Sequence, residues 1–141
     1  MDWKLQLVVV PVSDVDRSKN FYTEKTGFTV DVDHSAGADF RVVQLTPPGS
    51  ACSITLMKNT AAAGSLQGLH LVVTDLDAAR AQLVGQGAQV GEIFHFDEGG
   101  QVPGPDPERR DHGSFFSFDD PDGNSWLVQE VGRAGPGLSA G

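Results

Sequence analysis

The sequence predicts an α+β fold built from two tandem βαβββ modules. Three observations carry this. The order strand, helix and three strands occurs twice along the chain. Val12-Ser13-Asp14-Val15-Asp16 recurs as Val73-Thr74-Asp75-Leu76-Asp77, and Gly27-Phe28-Thr29-Val30 as Gly87-Ala88-Gln89-Val90. The 17 glycines and 8 prolines among 141 residues punctuate the chain into short segments.

In module one, about residues 3–58, Leu5 to Val12 is a β-branched run that ends at Ser13-Asp14, either of which can cap a helix. Val15, Ser18, Phe21, Tyr22 and Lys25 then fall at helical spacing, and Gly27 stops the helix. Phe28–Asp33, Phe40–Thr46 and Ser50–Met57 read as strands, the last two divided by the turn Pro47-Pro48-Gly49. Residues 59–67, rich in Ala, Gly and Ser, read as a linker. Module two, about 68–131, opens with strand Leu69–Val73 and a helix presenting Leu76, Ala79, Leu83 and Val84. Strands follow at Gln89–Phe96, Ser114–Phe118 and Asn124–Val131, with Asp120-Pro121-Asp122-Gly123 as the last turn. Asp97–His112 breaks the repeat and reads as an inserted loop, either a lid or a solvated Ω-loop. The single domain therefore spans 1–132, and 133–141 is a flexible tail.

Composition excludes several classes. A net charge of −9 with scattered Lys and Arg argues against nucleic acid and anionic membranes. A lone cysteine, Cys52, in an apolar stretch reads as a buried structural thiol in a reducing compartment. The start Met1-Asp2-Trp3-Lys4 lacks the pattern of a secretory signal, and no apolar run is long enough for a membrane helix. The expected location is cytoplasmic. Gly-x-Ser-x-Gly, a phosphate-binding glycine loop and Cys-x-x-Cys are all missing from the sequence. Asp14-x-Asp16 and Asp31-x-Asp33 read as solvated surface acids.

The motifs Val12–Ser18, Phe21-Tyr22 and Gly27-Phe28, followed by His70–Ala79 and Asp120-Pro121-Asp122-Gly123-Asn124, resemble the vicinal oxygen chelate superfamily over about residues 4–131. That superfamily holds glyoxalase I, extradiol dioxygenases, fosfomycin-resistance enzymes and bleomycin-resistance proteins. The resemblance implies an open, cupped β-barrel with helices outside and the ligand inside, commonly in a homodimer. It also implies where metal-dependent members keep their four ligands, one each on the first and last strands of both modules. Here those positions carry Leu7, Gly68, Leu127 and Thr55, or Ser53 if the register slips by two. None replaces a His or Glu. His70 and Glu130 are the nearby donors, and two scattered donors do not make a four-ligand site, so the expectation is no metal and no cofactor.

Strand alternation places Leu7, Val9, Ser53, Thr55, Met57, His70, Val72, Leu127 and Gln129 on the cavity face, with Gln44 joining them from a central strand. His95 is expected to reach the mouth of the cup. His70 is the best catalytic candidate, since a neutral imidazole in an apolar cup can bind a ligand oxygen or move a proton; the alternative is a histidine satisfied by a backbone group. The aromatic residues of module two are expected to divide between core and a wall that stacks on a planar ligand. The leading expectation is a metal-free protein that binds or sequesters a small apolar or aromatic compound, as in antibiotic resistance. The rival is an enzyme, a lyase, isomerase or dioxygenase, using His70 with Gln129 or Glu130 and, in one version, a divalent Ni, Zn, Fe or Mn ion. A protein-interaction module is the third class.

Overall fold

The computed structural model describes residues 1–38 and 40–133; the remainder of the expected tail, 134–141, lies outside the described residues. Contacts divide the chain into two compact units, residues 1–67 together with 120–124, and residues 68–119 together with those from 125 on. The first unit is a βαβββ assembly, as the repeat predicts, and the second has the same order with one extra strand from the inserted segment.

The first unit contains β1 (Leu7–Val12), α1 (Val15–Glu24), β2 (Thr29–Ala36), β3 (Phe40–Thr46) and β4 (Ser53–Lys58), with sheet order β1-β4-β3-β2. β1 and β4 are parallel and the other pairs antiparallel. Asp14 is the N-cap of α1, its carboxylate accepting the Arg17 N–H at 3.1 Å. Gly27, at φ +75, lets the chain leave the helix where a side chain would be strained. Val10, Leu56 and Val43 align across three strands, as do Ile54 and Leu45 across two, and all are buried. α1 covers this face with Val15, Ser18 and Tyr22. Each such aliphatic side chain contributes about 1.5–3 kcal/mol by leaving water.

Tyr22 stacks on Phe28 at 5.6 Å and donates its hydroxyl to Asp120 at 2.8 Å. Asp120 belongs to the turn 120–124. Its Oδ1 accepts the N–H groups of Asp122 and Asn124, both at 2.9 Å. Asn124, fully buried, donates to the Pro11 carbonyl at 3.0 Å and accepts from the Leu66 N–H at 3.1 Å. The segment 59–67 is thereby fastened to this unit. Gly64, at φ +80, lies so close to the turn that a Cβ there would sit 2.2 Å from the Asp122 carbonyl oxygen.

The second unit contains β5 (Leu69–Val73), α2 (Leu76–Gly85), β6 (Phe94–Asp97), β7 (Gly100–Pro103), β8 (Ser114–Asp119) and β9 (Ser125–Glu130), in sheet order β5-β9-β8-β6-β7. Asp75 caps α2 by accepting the Ala78 N–H at 3.0 Å. Leu76 and Leu83 pack against the sheet face that carries Phe116, Phe118, Trp126 and Val128. Phe118 and Trp126 stack in parallel, with centroids 5.8 Å apart.

Two departures from expectation matter. The strand expected over Gln89–Phe96 is interrupted: Val90 bridges Phe118, but pairing resumes at Phe94 with Phe115, one residue out of register. The first unit slips in the same way, Val30 facing Leu45 and Val32 facing Gln44, which leaves Asp31 as the extra residue. The repeat therefore extends to its bulges. The expected inserted loop 97–112 contains a strand of its own, β7, paired with β6. Among the described residues no helix is long and apolar enough to cross a membrane.

Candidate functional site

Each sheet has one face under its helix and one face turned away from it. In the first unit the register on the open face aligns Leu7 with Ser53, Val9 with Thr55 and Gln44, and Met57 with Val42. Leu7, Val9, Gln44, Ser53, Thr55 and Met57 thus share one surface. Val9 is 47% exposed, whereas Ser53 and Thr55 are buried.

Polar groups on this face form a directed chain. The Thr46 hydroxyl donates to the Asp31 carboxylate, which can only accept. Thr46 and Ser53 hydroxyl oxygens lie 2.6 Å apart, and since the Thr46 proton is committed, Ser53 is the donor of that pair. Ser53 Oγ then accepts from Gln44 Nε2 at 3.4 Å, a long bond. The Gln44 amide is so oriented that its Oε1 is left to accept. Thr55, directly across the strand pair from Gln44, has a buried hydroxyl with no hydrogen-bond partner among the described residues.

Arg41 faces the other way. It holds Asp33 through two bonds of 2.9 Å and Asp16 at 2.5 Å, beside a cleft of about 630 Å³ at the start of α1. Hydrogen bonds from Arg41 and then Lys19 keep the Asp33 carboxyl well below the usual carboxylate range. The acids expected as solvated surface are therefore partnered: Asp31 and Asp33 both hold neighbours, because the bulge turns them to opposite faces.

In the second unit the open face carries His70, Leu127 and Ser117 in one row and Val72, Gln129, Phe115 and Phe94 in the next. Phe94, Phe96 and Phe115 form a three-ring cluster, with Phe94 stacked on Phe115 at 5.5 Å and Phe96 set edge-on to Phe94 at 5.6 Å. Phe96 is 59% and Val72 60% exposed. A cleft of about 330 Å³ lies beside Phe94, between Ile93, Pro103 and Ser117. The remaining aromatics, Phe116, Phe118 and Trp126, are core.

His70 is exposed, and its Nδ1 lies against the Gly68 carbonyl. A carbonyl only accepts, so Nδ1 carries a proton, and in the neutral tautomer that fits this contact Nε2 is the acceptor. His95, expected at the mouth of the cup, alternates away from Phe94 and Phe96 along its strand, and its Nδ1 bonds the Gly104 carbonyl at 2.7 Å. Cys52, expected buried, is half-buried in the approach to β4.

Glu130 shares the helix side of its sheet with Val128 and is fully buried. It accepts the Leu76 N–H at 2.9 Å and two bonds of 2.8 Å from Arg109. Burial, the largest single influence, pushes its carboxyl up, but Arg109, the Leu76 N–H and Arg133 more than offset it and leave the group below the ordinary range. Arg109 adopts φ +50 to make this contact. Three more bonds order the inserted loop: Arg110 clamps buried Asp106 at 2.9 and 3.1 Å, and the Gly132 N–H donates to Asp111 at 2.7 Å. Glu130 is thus a structural clamp on the face opposite Leu127, as strand parity expects, with its carboxylate committed to Arg109 and the Leu76 N–H.

A family model described as Glyoxalase/Bleomycin resistance protein/Dioxygenase superfamily matches residues 4–128. The chain belongs to that superfamily. Among solved structures, TnmS3, an antibiotic binding protein from Streptomyces sp. CB03234, is 32% identical, with a TM-score of 0.70 over 92% of this chain and 96% of that one. A glyoxalase/bleomycin resistance protein from the same Streptomyces is also 32% identical, with a TM-score of 0.68 over 90% of this chain and 100% of the other. Among curated proteins, the uncharacterized protein YetH of Bacillus subtilis (strain 168) is 27% identical over 127 residues, 87% of this chain and 94% of its own length.

Superfamily members that use a metal need four donors, and this chain's residues do not fit one. Leu7, Gly68 and Leu127 have no donor side-chain atom. At the fourth position Thr55 is a neutral hydroxyl, and Ser53 is spent in the chain to Asp31. A separate acidic group, Asp75, Asp77 and Glu130, brings oxygens within 4.8 Å of one another. Two guanidinium groups already offset two of its three charges: Arg109 meets Asp77 at 2.7 Å and Glu130 at 2.8 Å, and Arg133 lies 3.3–3.7 Å from all three acids.

Proposed function

We propose that this chain is a metal-free small-molecule-binding protein that takes up and sequesters a small apolar or aromatic compound without changing it covalently. The observation that carries this reading is the make-up of the open sheet faces. Val9 on the first unit's open face, and Val72 and Phe96 on the second unit's, are each about half exposed or more, and the second unit's face also carries the three-ring aromatic cluster. Exposed apolar surface of this kind on a stable sheet marks a ligand or partner site, and pockets for organic molecules are mostly apolar with few polar groups. The similarity to an antibiotic binding protein supports the same class of ligand. The protein works in the cytoplasm as a homodimer and needs no cofactor.

A thermal-shift screen against antibiotics and aromatic metabolites tests the proposal. A hit should raise the melting temperature and return with unchanged mass; a compound converted on incubation overturns sequestration. Light scattering during chromatography checks the dimer.

One observation favours the rival reading. The Nδ1 contact of His70 with the Gly68 carbonyl selects the tautomer whose Nε2 can accept a proton, which suits a lyase or isomerase step. Turnover abolished in His70→Ala would establish it.

A further inference from the structure

We infer that Gln44 and Thr55 recognise a neutral group with a hydrogen-bond donor next to an acceptor, such as the edge of a carboxamide or lactam, on the ligand of the first unit's open face. The inference rests on the small-molecule reading above and deepens it.

The argument begins at the bulge. The extra residue of β2, Asp31, turns its carboxylate to the Thr46 hydroxyl. That contact uses the Thr46 proton, so Ser53 must donate to Thr46, and Ser53 Oγ can then only accept from Gln44. One carboxylate thereby dictates every donor along the row and settles which end of the Gln44 amide faces Ser53. The opposite end, Oε1, is an acceptor held in place.

Thr55 faces Gln44 across the strand pair, where Cβ atoms are about 5 Å apart. Its hydroxyl is buried and unpartnered among the described residues. A buried hydroxyl left unpaired costs about 1–3 kcal/mol, a cost that a ligand acceptor on this face would relieve. With Gln44 Oε1 accepting and Thr55 O–H donating side by side, the matching ligand edge is N–H beside C=O. An anion is disfavoured by the Asp31 carboxylate at the end of the row and by the acceptor face of Gln44.

Benzamide, N,N-dimethylbenzamide and toluene are suitable probes, titrated into isotope-labelled protein and followed by NMR. Benzamide should shift the Gln44 side-chain amide and Thr55 signals and bind about tenfold more tightly than the dimethyl compound, which has lost the donor. Gln44→Met should remove that tenfold difference. Thr55→Val should weaken benzamide about tenfold while raising the melting temperature, because the unpartnered hydroxyl is gone. A fall of several degrees in Thr55→Val would mean the hydroxyl has a structural partner, which overturns the inference. Equal affinity for all three probes, or no benzamide binding, also overturns it. Toluene binding as tightly as benzamide would still leave the small-molecule reading standing.

Discussion

The two units carry the same helix start and hold it by different chemistry. In the first, the cap Asp14 is joined by Asp122, whose carboxylate accepts the Ser13 N–H at 3.1 Å, the Ser13 hydroxyl, and Arg17 at 3.1 Å. In the second, the cap Asp75 is joined by Glu130, which takes the Leu76 N–H and both arms of Arg109. Each solution brings a second carboxylate to the positive end of a helix. They differ in dryness. Both carboxylates are shielded, Asp122 at 6% and Glu130 at 0% exposure, so the difference lies in the arginines: Arg17 is 51% exposed and Arg109 only 22%. Water softens the loss of one anchor but not of the other. The duplicated module therefore has a robust half and a half that depends on one buried ion pair.

The largest test of this contrast is Arg109→Met. It leaves the Glu130 carboxylate buried with its main partner gone and should cost about 4 kcal/mol, read as a fall in urea midpoint. A loss no larger than that of a surface charge would break the comparison. Next comes Gly64→Ala, where left-handed backbone and a clash with the Asp122 carbonyl combine. It should cost about 3 kcal/mol and loosen the 120–124 turn, seen as faster amide exchange at Leu66.

Acid sharpens the same point. Glu130 has a depressed pKa when folded, so the stability it supplies is fully present above its unfolded value of about 4.3 and is lost as pH falls through the lower folded value. The stability gap between wild type and Glu130→Gln should therefore narrow as pH drops below about 4. A gap that stays constant would mean the charge is not the operative feature. Smallest is Asp122→Asn. It keeps an acceptor for Ser13, loses only the part-exposed attraction to Arg17, and should lower stability by about 1 kcal/mol.

Much of the fold was legible because its signals are local. The Ser/Thr-Asp caps and the glycines after each helix sit within a few residues of what they control, and alternation predicted that Leu7, Val9, Gln44, Ser53, Thr55 and Met57 share a face, as they do. The bulges were not legible, and they decide more than their length suggests. The slip at Asp31 links a surface acid to Thr46, and the slip before Phe94 divides an expected strand. The use of Glu130 had only a faint signal, Arg109-Arg110 being the one adjacent basic pair in the sequence.

By itself the sequence determined the duplicated module, the two caps, the strand parity and the unsuitability of Leu7, Gly68 and Leu127 as metal donors. These follow from side-chain type and from periods of two and 3.6 residues, which act over neighbouring positions. Only the tertiary structure decided that Asp122 meets Ser13, 109 residues away, and that Arg109 meets Glu130 while Thr55 is left unpaired. Such pairings depend on how strands register and loops return, and a carboxylate or hydroxyl looks the same in sequence whether it ends in water, on an arginine or facing a ligand.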